Sequence, residues 1–328
     1  MCCEDEGMPR HRDHFFCLAL ACGLSDAPMS AALWASHDAY KGKRCGLIRS
    51  CPRQYSLTDV NASAFEWGTP AGQSHISAQA GGEQWAAEHC RGQRHVAHAQ
   101  PIAFSTKARE KASGGAWCLP TDSTGTTLRG KRVELAHGQS YTLPAGHAPA
   151  DLGLVKAVYR RLLAPLTPGG RPRSVIDLGS GVGQFGHALR SMHSHVDFRA
   201  FDGSGNIDAL TDGFVHYADL SQPLELRPRA DWVFSLEVAE HLPNQREGFY
   251  VRNLHAHNCF GILLSWGMLG QGGLSHINNH PPEYVIETFE QLGYVSDTFL
   301  AEKIYNASES AQFHRLHVFR RLQTPPGC

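Results

Sequence analysis

The chemistry-bearing side chains of this chain are densest in the run Glu237-Val238-Ala239-Glu240-His241. A helix starting there would put Glu237, Glu240 and His241 at i, i+3 and i+4, on one face. Two carboxylates and an imidazole can coordinate a divalent cation, and Mg, Mn and Zn would each take such donors in a different geometry. A loop further on, Leu269 to His280, offers His276 and His280 to the same strand-end cleft. Glu237, Glu240, His241 and His276 are therefore the candidate metal ligands. The same groups suit proton transfer, because histidine ionises near neutral pH. Glu237, His241 and His276 are accordingly the candidate catalytic residues, with His241 or His276 as the base for an alcohol. The plain alternative is a helix-face histidine bonded to a neighbouring carboxylate. With 20 histidines in the chain, residue type alone singles out none of them.

A second constellation precedes the first. Val175-Ile176-Asp177-Leu178 is an apolar run ending in the glycine-rich turn Gly179-Ser180-Gly181-Val182-Gly183. Glycines allow positive-φ turning and let backbone N–H groups approach a ligand with no Cβ in the way. Asp202 follows 19 residues after Gly183 at the end of the next apolar run, where a carboxylate can accept hydrogen bonds from both hydroxyls of a ribose. Asp219, beside Leu220, ends the run after that, where an acid and an apolar neighbour can hold the amino group and face of an adenine. A nicotinamide dinucleotide would also suit an acid about 20 residues beyond the glycines. That fingerprint is G-x-G-x-x-G, however, and here Gly183 falls one residue early and Gly186 two residues late.

The elements that must position these residues are legible from about Asp151 onward. Leu152, Leu154, Val155, Val158, Tyr159, Leu162 and Leu163 recur at helical spacing behind Asp151, which predicts an N-capped helix ending near Pro165. Strands are predicted at Ser174 to Leu178, Phe198 to Phe201, Phe214 to Tyr217, Trp232 to Leu236 and Phe260 to Trp266, with helical segments between them. Alternating strands and helices imply a mostly parallel sheet covered on both faces. Val295 to Ala301 and His314 to Phe319 are predicted to close it as a hairpin-like pair. The glycine-rich loop Trp266 to His280, ending at Pro281-Pro282, is predicted to act as a lid. Pro282 to Leu292 reads as an amphipathic helix stopped by Gly293, with Tyr284 as its one candidate for substrate contact.

Taken together, the turn, Asp202, Asp219 and the Glu237 run resemble the class I S-adenosylmethionine-dependent methyltransferase family over residues about 150 to 322. The resemblance implies a Rossmann-like α/β fold and an enzyme with S-adenosylmethionine as cofactor. It implies cofactor binding by Asp177, Gly179, Gly181, Gly183, Asp202 and Asp219. The Glu-x-x-Glu-His element is similar to that of two subfamilies, the ubiquinone-biosynthesis type O-methyltransferases and the small-RNA 3′-end 2′-O-methyltransferases. The second adds a downstream histidine to complete a metal site. After the fourth strand the chain lacks the Asn- or Asp-Pro-Pro-aromatic element common in enzymes that methylate base nitrogens, which points toward oxygen. The leading expectation is O-methylation of a small molecule. The runner-up is a metal-dependent RNA 2′-O-methyltransferase, and a third reading is a non-catalytic cofactor-binding domain that regulates a partner.

Composition bounds these readings. Thirty basic residues against 31 acidic ones give no bulk attraction to nucleic acid or anionic lipid, which favours a small or neutral acceptor. Residues 1 to 145 lack sustained period and are expected to be irregular, so the domain is placed at 146 to 323. Phe15 to Leu24 has the length of a signal-peptide apolar region and is too short to span a bilayer. The acids Glu4, Asp5, Glu6 and Asp13 before it argue against export, so a cytoplasmic location is favoured, with the secretory pathway as the alternative. The sequons at Asn61 and Asn306 matter only in that second case. Eight of the ten cysteines precede the glycine-rich turn, with no C-x-x-C pair; their irregular spacing favours free thiols, with a disulfide framework in the amino-terminal half as the alternative.

Overall fold

The computed structural model describes Ala87, Glu88, Cys90, Gln100–Pro101 and residues 117–328, except 146, 166–169, 172, 274–275 and 310–314. The signal-like segment 15–24 and the Asn61 sequon lie outside the described residues. Two short strands come first, β1 (Gln100–Pro101) and β2 (Trp117–Cys118), then a hairpin of β3 (Gly130–Glu134) and β4 (Ser140–Pro144). Residues 117–145, expected to be irregular, therefore contain a paired hairpin. Its β3 is polar and mostly exposed, and only Tyr141 and Leu143 of β4 turn inward to the core.

Helix α1 (Leu152–Val158) starts where expected, with Asp151 Oδ1 accepting from the Leu154 N–H at 2.8 Å. Such a cap satisfies one of the donors that every helix start leaves open. A wider π-type turn, Tyr159–Leu163, carries the chain on toward β5 (Ser174–Leu178). Then follow α2 (Gln184–Met192), β6 (Asp197–Asp202), α3 (Ile207–Leu210), β7 (Val215–Tyr217) and β8 (Ala230–Ser235). The remainder is α4 (Glu247–Ala256), β9 (Asn258–Ser265), α5 (Pro282–Gln291), β10 (Tyr294–Ser296), α6 (Thr298–Tyr305) and β11 (Leu316–Arg321).

Seven of these strands form one sheet in the order β10-β11-β9-β8-β5-β6-β7. The five from β9 to β7 are mutually parallel, β11 runs antiparallel to them, and β10, antiparallel to β11, runs in their direction again. This is the Rossmann-like α/β fold that was expected, a mostly parallel sheet with helices on both faces. Side chains of the central strands divide between the two faces at period two, as pleating requires. Val175, Trp232, Phe234, Leu263 and Val318 enter one core, and Ile176, Val233, Ile262, Leu264 and Phe319 enter the other. The chain leaves β5 toward β6 on one side and returns to β8 on the other. That reversal opens a crevice at the carboxyl ends of β5 and β8, the place where open α/β sheets bind ligands.

Two expectations are corrected. The run Val295 to Ala301 is not one strand: β10 ends at Ser296, and Asp297 caps α6 by accepting from the Leu300 N–H at 3.0 Å. A short apolar run suits a strand or a buried helix equally, and here the cap decides. The thiols are not all free either. Cys90–Cys118 and Cys259–Cys328 are disulfides, the first joining the amino-terminal segment to β2, the second fastening the end of the chain to β9. No helix among the described residues is long and apolar enough to cross a membrane.

Candidate active site

The glycine-rich turn leaves the crevice end of β5. Its start is held from behind by a buried relay, in which Tyr250 Oη donates to Ser235 Oγ at 2.8 Å and Ser235 Oγ donates to the Leu178 carbonyl at 2.7 Å. Gly179, Gly181 and Gly183 all have positive φ, at 83°, 58° and 77°. The three do not serve alike. A Cβ on Gly179 would overlap the Val238 side chain, and one on Gly183 would sit 2.6 Å from the Phe214 ring. At Gly181 it would meet only the flexible end of Gln184 at 3.0 Å.

The turn is fastened to the end of β6. Phe201 O accepts from the N–H groups of Gly179 at 2.8 Å and Ser180 at 3.0 Å. Asp202 Oδ2 accepts from the Gly181 N–H at 2.9 Å, and its Oδ1 accepts from the Ser204 N–H and hydroxyl at 2.9 and 2.8 Å. Asp219 is held in the same way by the Ser221 N–H and hydroxyl, at 2.9 and 2.6 Å on Oδ1. Burial pushes both carboxyls above the usual range against these hydrogen bonds. Asp177 is buried at the end of β5, and burial together with the Asp202 charge pushes it up to about 7. The candidate cofactor residues thus converge on one strand-end crevice lined by acids.

An unforeseen segment joins them. The Trp117 N–H donates to Gly203 O at 2.9 Å, and the Gly205 N–H donates to Trp117 O at 2.6 Å. Leu119 and Asn206 exchange two hydrogen bonds at 2.9 and 3.0 Å. Residues 117–119 therefore lie along the loop that follows Asp202, and the Cys90–Cys118 disulfide anchors them there.

Beyond β8 the expected helix is absent. Glu237 has φ of 57°, outside the helical region, and only Ala239–His241 makes a single 3₁₀ turn. The shared-face argument therefore fails for Glu237, which is instead tied to β9. Its N–H donates to Ser265 Oγ at 2.6 Å, and Ser265 Oγ donates to Glu237 Oε1 at 2.8 Å. Glu240, His241 and His276 do come together, with one ligand atom from each lying within 4.8 Å of the others. The rings of His241 and His276 meet edge to face at 5.1 Å.

Glu240 is fully buried, and neither carboxylate oxygen makes a hydrogen bond of ordinary geometry; its polar neighbours are the Gly267 backbone and the Glu237 carboxylate. His276 Nδ1 is likewise buried without a partner. Burial and then the Glu237 charge push Glu240 up to about 8. A buried polar group normally has a partner, since leaving it without one costs about 1–3 kcal/mol. Three convergent O and N donors, two of them unsatisfied, fit a divalent cation. A ring nitrogen that ligates a metal cannot also accept a proton, so the ligand and base roles of His241 and His276 exclude each other at any one nitrogen.

The segments 266–267 and 277–280, at the two ends of the loop expected to be a lid, are pinned. Glu240 O accepts from the N–H groups of Ile277 and Asn278 at 2.9 and 3.0 Å, and the His280 N–H donates to Gly267 O at 3.0 Å. Trp266 Nε1 donates to Asn278 O at 2.7 Å. His280 does not join the cluster: its Nε2 pairs with Glu247 Oε2 at 2.7 Å. Tyr284, the candidate for substrate contact, donates its hydroxyl to Glu247 Oε1. Leu269 and Ile277 stand exposed on this loop.

No family model matches the chain, and no curated protein does. Solved structures similar to it include magnesium protoporphyrin IX methyltransferase from Synechocystis PCC 6803. That match has 17% identity and a TM-score of 0.38, and covers 52% of this chain and 83% of that one. An amino pentose methyltransferase from Micromonospora echinaspora is similar at 15% identity and TM-score 0.38, over 54% of this chain and 92% of that one. The small RNA methyltransferase HEN1 is similar at 12% identity and TM-score 0.40, over 57% of this chain and 28% of that one.

Proposed function

We propose that the chain is an S-adenosylmethionine-dependent methyltransferase that transfers the methyl group to an oxygen of a small molecule. The observation that carries this reading is the convergence of the glycine-rich turn, Asp177, Asp202 and Asp219 at the crevice where the strand order reverses. Asp202 retains acceptor capacity for ribose hydroxyls, and Asp219 with buried Leu220 suits the adenine. Asp177 offers a carboxylate to the cationic methionine end. A sulfonium methyl is already electrophilic, so the protein's task is to align an acceptor oxygen in line with the S–CH₃ bond and to lower the cost of losing its proton.

A second reading, a metal-dependent methyltransferase acting on an RNA 2′-hydroxyl, is favoured by the Glu240, His241 and His276 cluster. In it a bound cation would be held by those three side chains, with Glu237 beside them, and would supply Lewis acidity toward a hydroxyl. Residues of this chain would then orient the acceptor. Where no cation binds, His241 or His276 is left with a nitrogen to take the proton.

Calorimetry with S-adenosylmethionine on the full chain tests the shared claim: binding is expected, and the folded chain failing to bind sinks both readings. A labelled methyl-donor assay over metabolite and RNA pools, with and without chelator, separates them. Label in metabolites that survives chelation supports the first. Label in RNA that chelation removes supports the second. Binding without any transfer points to a regulatory domain.

A further inference from the structure

We propose that Glu247, outside the candidate ligand set, is the positioning residue that holds His276 within reach of Glu240 and His241. Glu247 is the first residue of α4, and its carboxylate is buried. A carboxylate at a helix start ordinarily serves its own first turn. This one reaches across to the segment after β9. Oε2 accepts from Asn278 Nδ2 at 2.9 Å and from His280 Nε2 at 2.7 Å, and Oε1 accepts from the Tyr284 hydroxyl. Three donors from residues 278–284 thus close on one buried carboxylate. Tyr284 and His280 also stack at 3.9 Å, and His280 meets the Trp266 ring edge-on at 5.3 Å.

The other side of the same segment is tied to the cluster. Ile277 and Asn278 donate their N–H groups to the carbonyl of Glu240 itself. His276 is therefore the residue just before a strand of chain clamped from one side by Glu240 O and from the other by Glu247. Two buried carboxylate oxygens and a buried imidazole nitrogen of the cluster make no hydrogen bond of ordinary geometry, so the cluster itself does little to fasten His276. Charge-assisted hydrogen bonds, roughly twice as strong as neutral ones, fasten the segment instead. Their donors are all C-terminal to His276, and their acceptor is on a different helix from Glu240 and His241. Outer groups of this kind typically change metal affinity by roughly 10- to 100-fold when altered.

The inference rests on the metal reading only for its second measurement. The first is hydrogen exchange on the full chain without added metal, comparing wild type with Glu247→Gln, which keeps the shape and removes the charge. Exchange at the Ile277, Asn278 and His280 amides should rise by roughly tenfold or more, while β9 and α4 keep their protection. Unchanged exchange at those three amides overturns the proposal. Loss of protection spread equally over α4 also overturns it, since it would mean that Glu247 merely starts the helix. If Glu247→Gln does not fold, Tyr284→Phe removes one donor and keeps the ring; it should give the same local pattern in smaller size, and no change there is equally fatal.

The second measurement is a Co²⁺ titration followed by visible absorption. Wild type should develop d–d bands, and Glu247→Gln should need roughly 10- to 100-fold more cobalt to reach them. Equal cobalt affinity in the two overturns the proposal. If wild type takes no cobalt while the exchange pattern changes as expected, the metal reading fails and the positioning role of Glu247 stands.

Discussion

Replacing Asp177 by asparagine should stabilise the folded chain, and by more as pH rises. Asp177 is 5% exposed at the end of β5, faces the charge of Asp202, and has its pKa raised from 3.8 to about 7. Below pH 3.8 the carboxyl is neutral whether the chain is folded or not, and the native state loses nothing. Between 3.8 and about 7 the unfolded chain gives up its proton while the folded chain keeps it, so stability falls as pH rises. Above 7 both states are ionised and the penalty levels off. A shift of about 3 units at 1.36 kcal/mol each sets a ceiling of about 4 kcal/mol. Asparagine has nearly the same shape and does not titrate. Urea unfolding of both chains at pH 4, 6 and 8 measures the effect as a difference. Asp219, Glu240 and Glu290 are also raised, with slopes common to both chains, while Asp202, which repels Asp177, is relieved in the same direction when that charge is removed. The asparagine chain should gain on wild type by up to about 4 kcal/mol between pH 4 and pH 8. A difference that stays flat over that range would refute the claim that burial beside Asp202 governs this carboxyl. The same substitution should weaken S-adenosylmethionine binding, because it removes an anion from the crevice where the ligand's cationic end is placed.

Gly183→Ala should destabilise the chain more than Gly181→Ala in the same unfolding assay, because both need positive φ but only the first drives a Cβ into the Phe214 ring. Equal losses would mean that φ strain, about 1–2 kcal/mol, is the whole effect. Glu240→Gln should have opposite effects with and without metal: without metal it should match wild type below pH 4.5, where the carboxyl is neutral in the folded and the unfolded chain alike, and should become the more stable as pH rises from 4.5 to about 8, levelling off above that. Added Mn²⁺ should raise the melting temperature of wild type and leave Glu240→Gln unmoved, and a shift in both would exclude Glu240 as a ligand. Intact mass under non-reducing conditions should fall short of the all-thiol value by at least the four hydrogens of Cys90–Cys118 and Cys259–Cys328. Loop lengths of 28 and 69 residues imply roughly 3 to 4 kcal/mol of stabilisation each, so reductant should lower the denaturation midpoint.

The sheet was legible because burial on both faces leaves a plain mark. Ser174–Leu178 and Ala230–Ser235 are buried at every position, and continuous apolar runs of that length between helical segments read as central parallel strands. Local capping was legible too: Asp151 and Gly293 act within three residues of themselves. What depended on distant partners was not. The polar strand β3 has no alternation and is a strand only because β4 pairs with it. Cysteine pairing spans separations that no spacing rule reaches. Residues 117–119 carry no motif and join the crevice through backbone hydrogen bonds to 203–206, which any sequence with compatible packing could make.

The catalytic and metal candidates were read from the same side chains, and the fold separates what the sequence could only superimpose. Ser265 pulls Glu237 toward β9, and a positive φ takes it out of any helix with Glu240. Glu237 then acts on Glu240 through charge, raising its pKa, rather than through a shared face. His276 reaches Glu240 and His241 across more than thirty residues because Glu240 uses its backbone carbonyl, not its side chain, to hold the returning segment. That division leaves both Glu240 carboxylate oxygens without a hydrogen bond of ordinary geometry at the point where the His241 and His276 rings converge, so side chains far apart in sequence meet there through a backbone contact that no residue type announces.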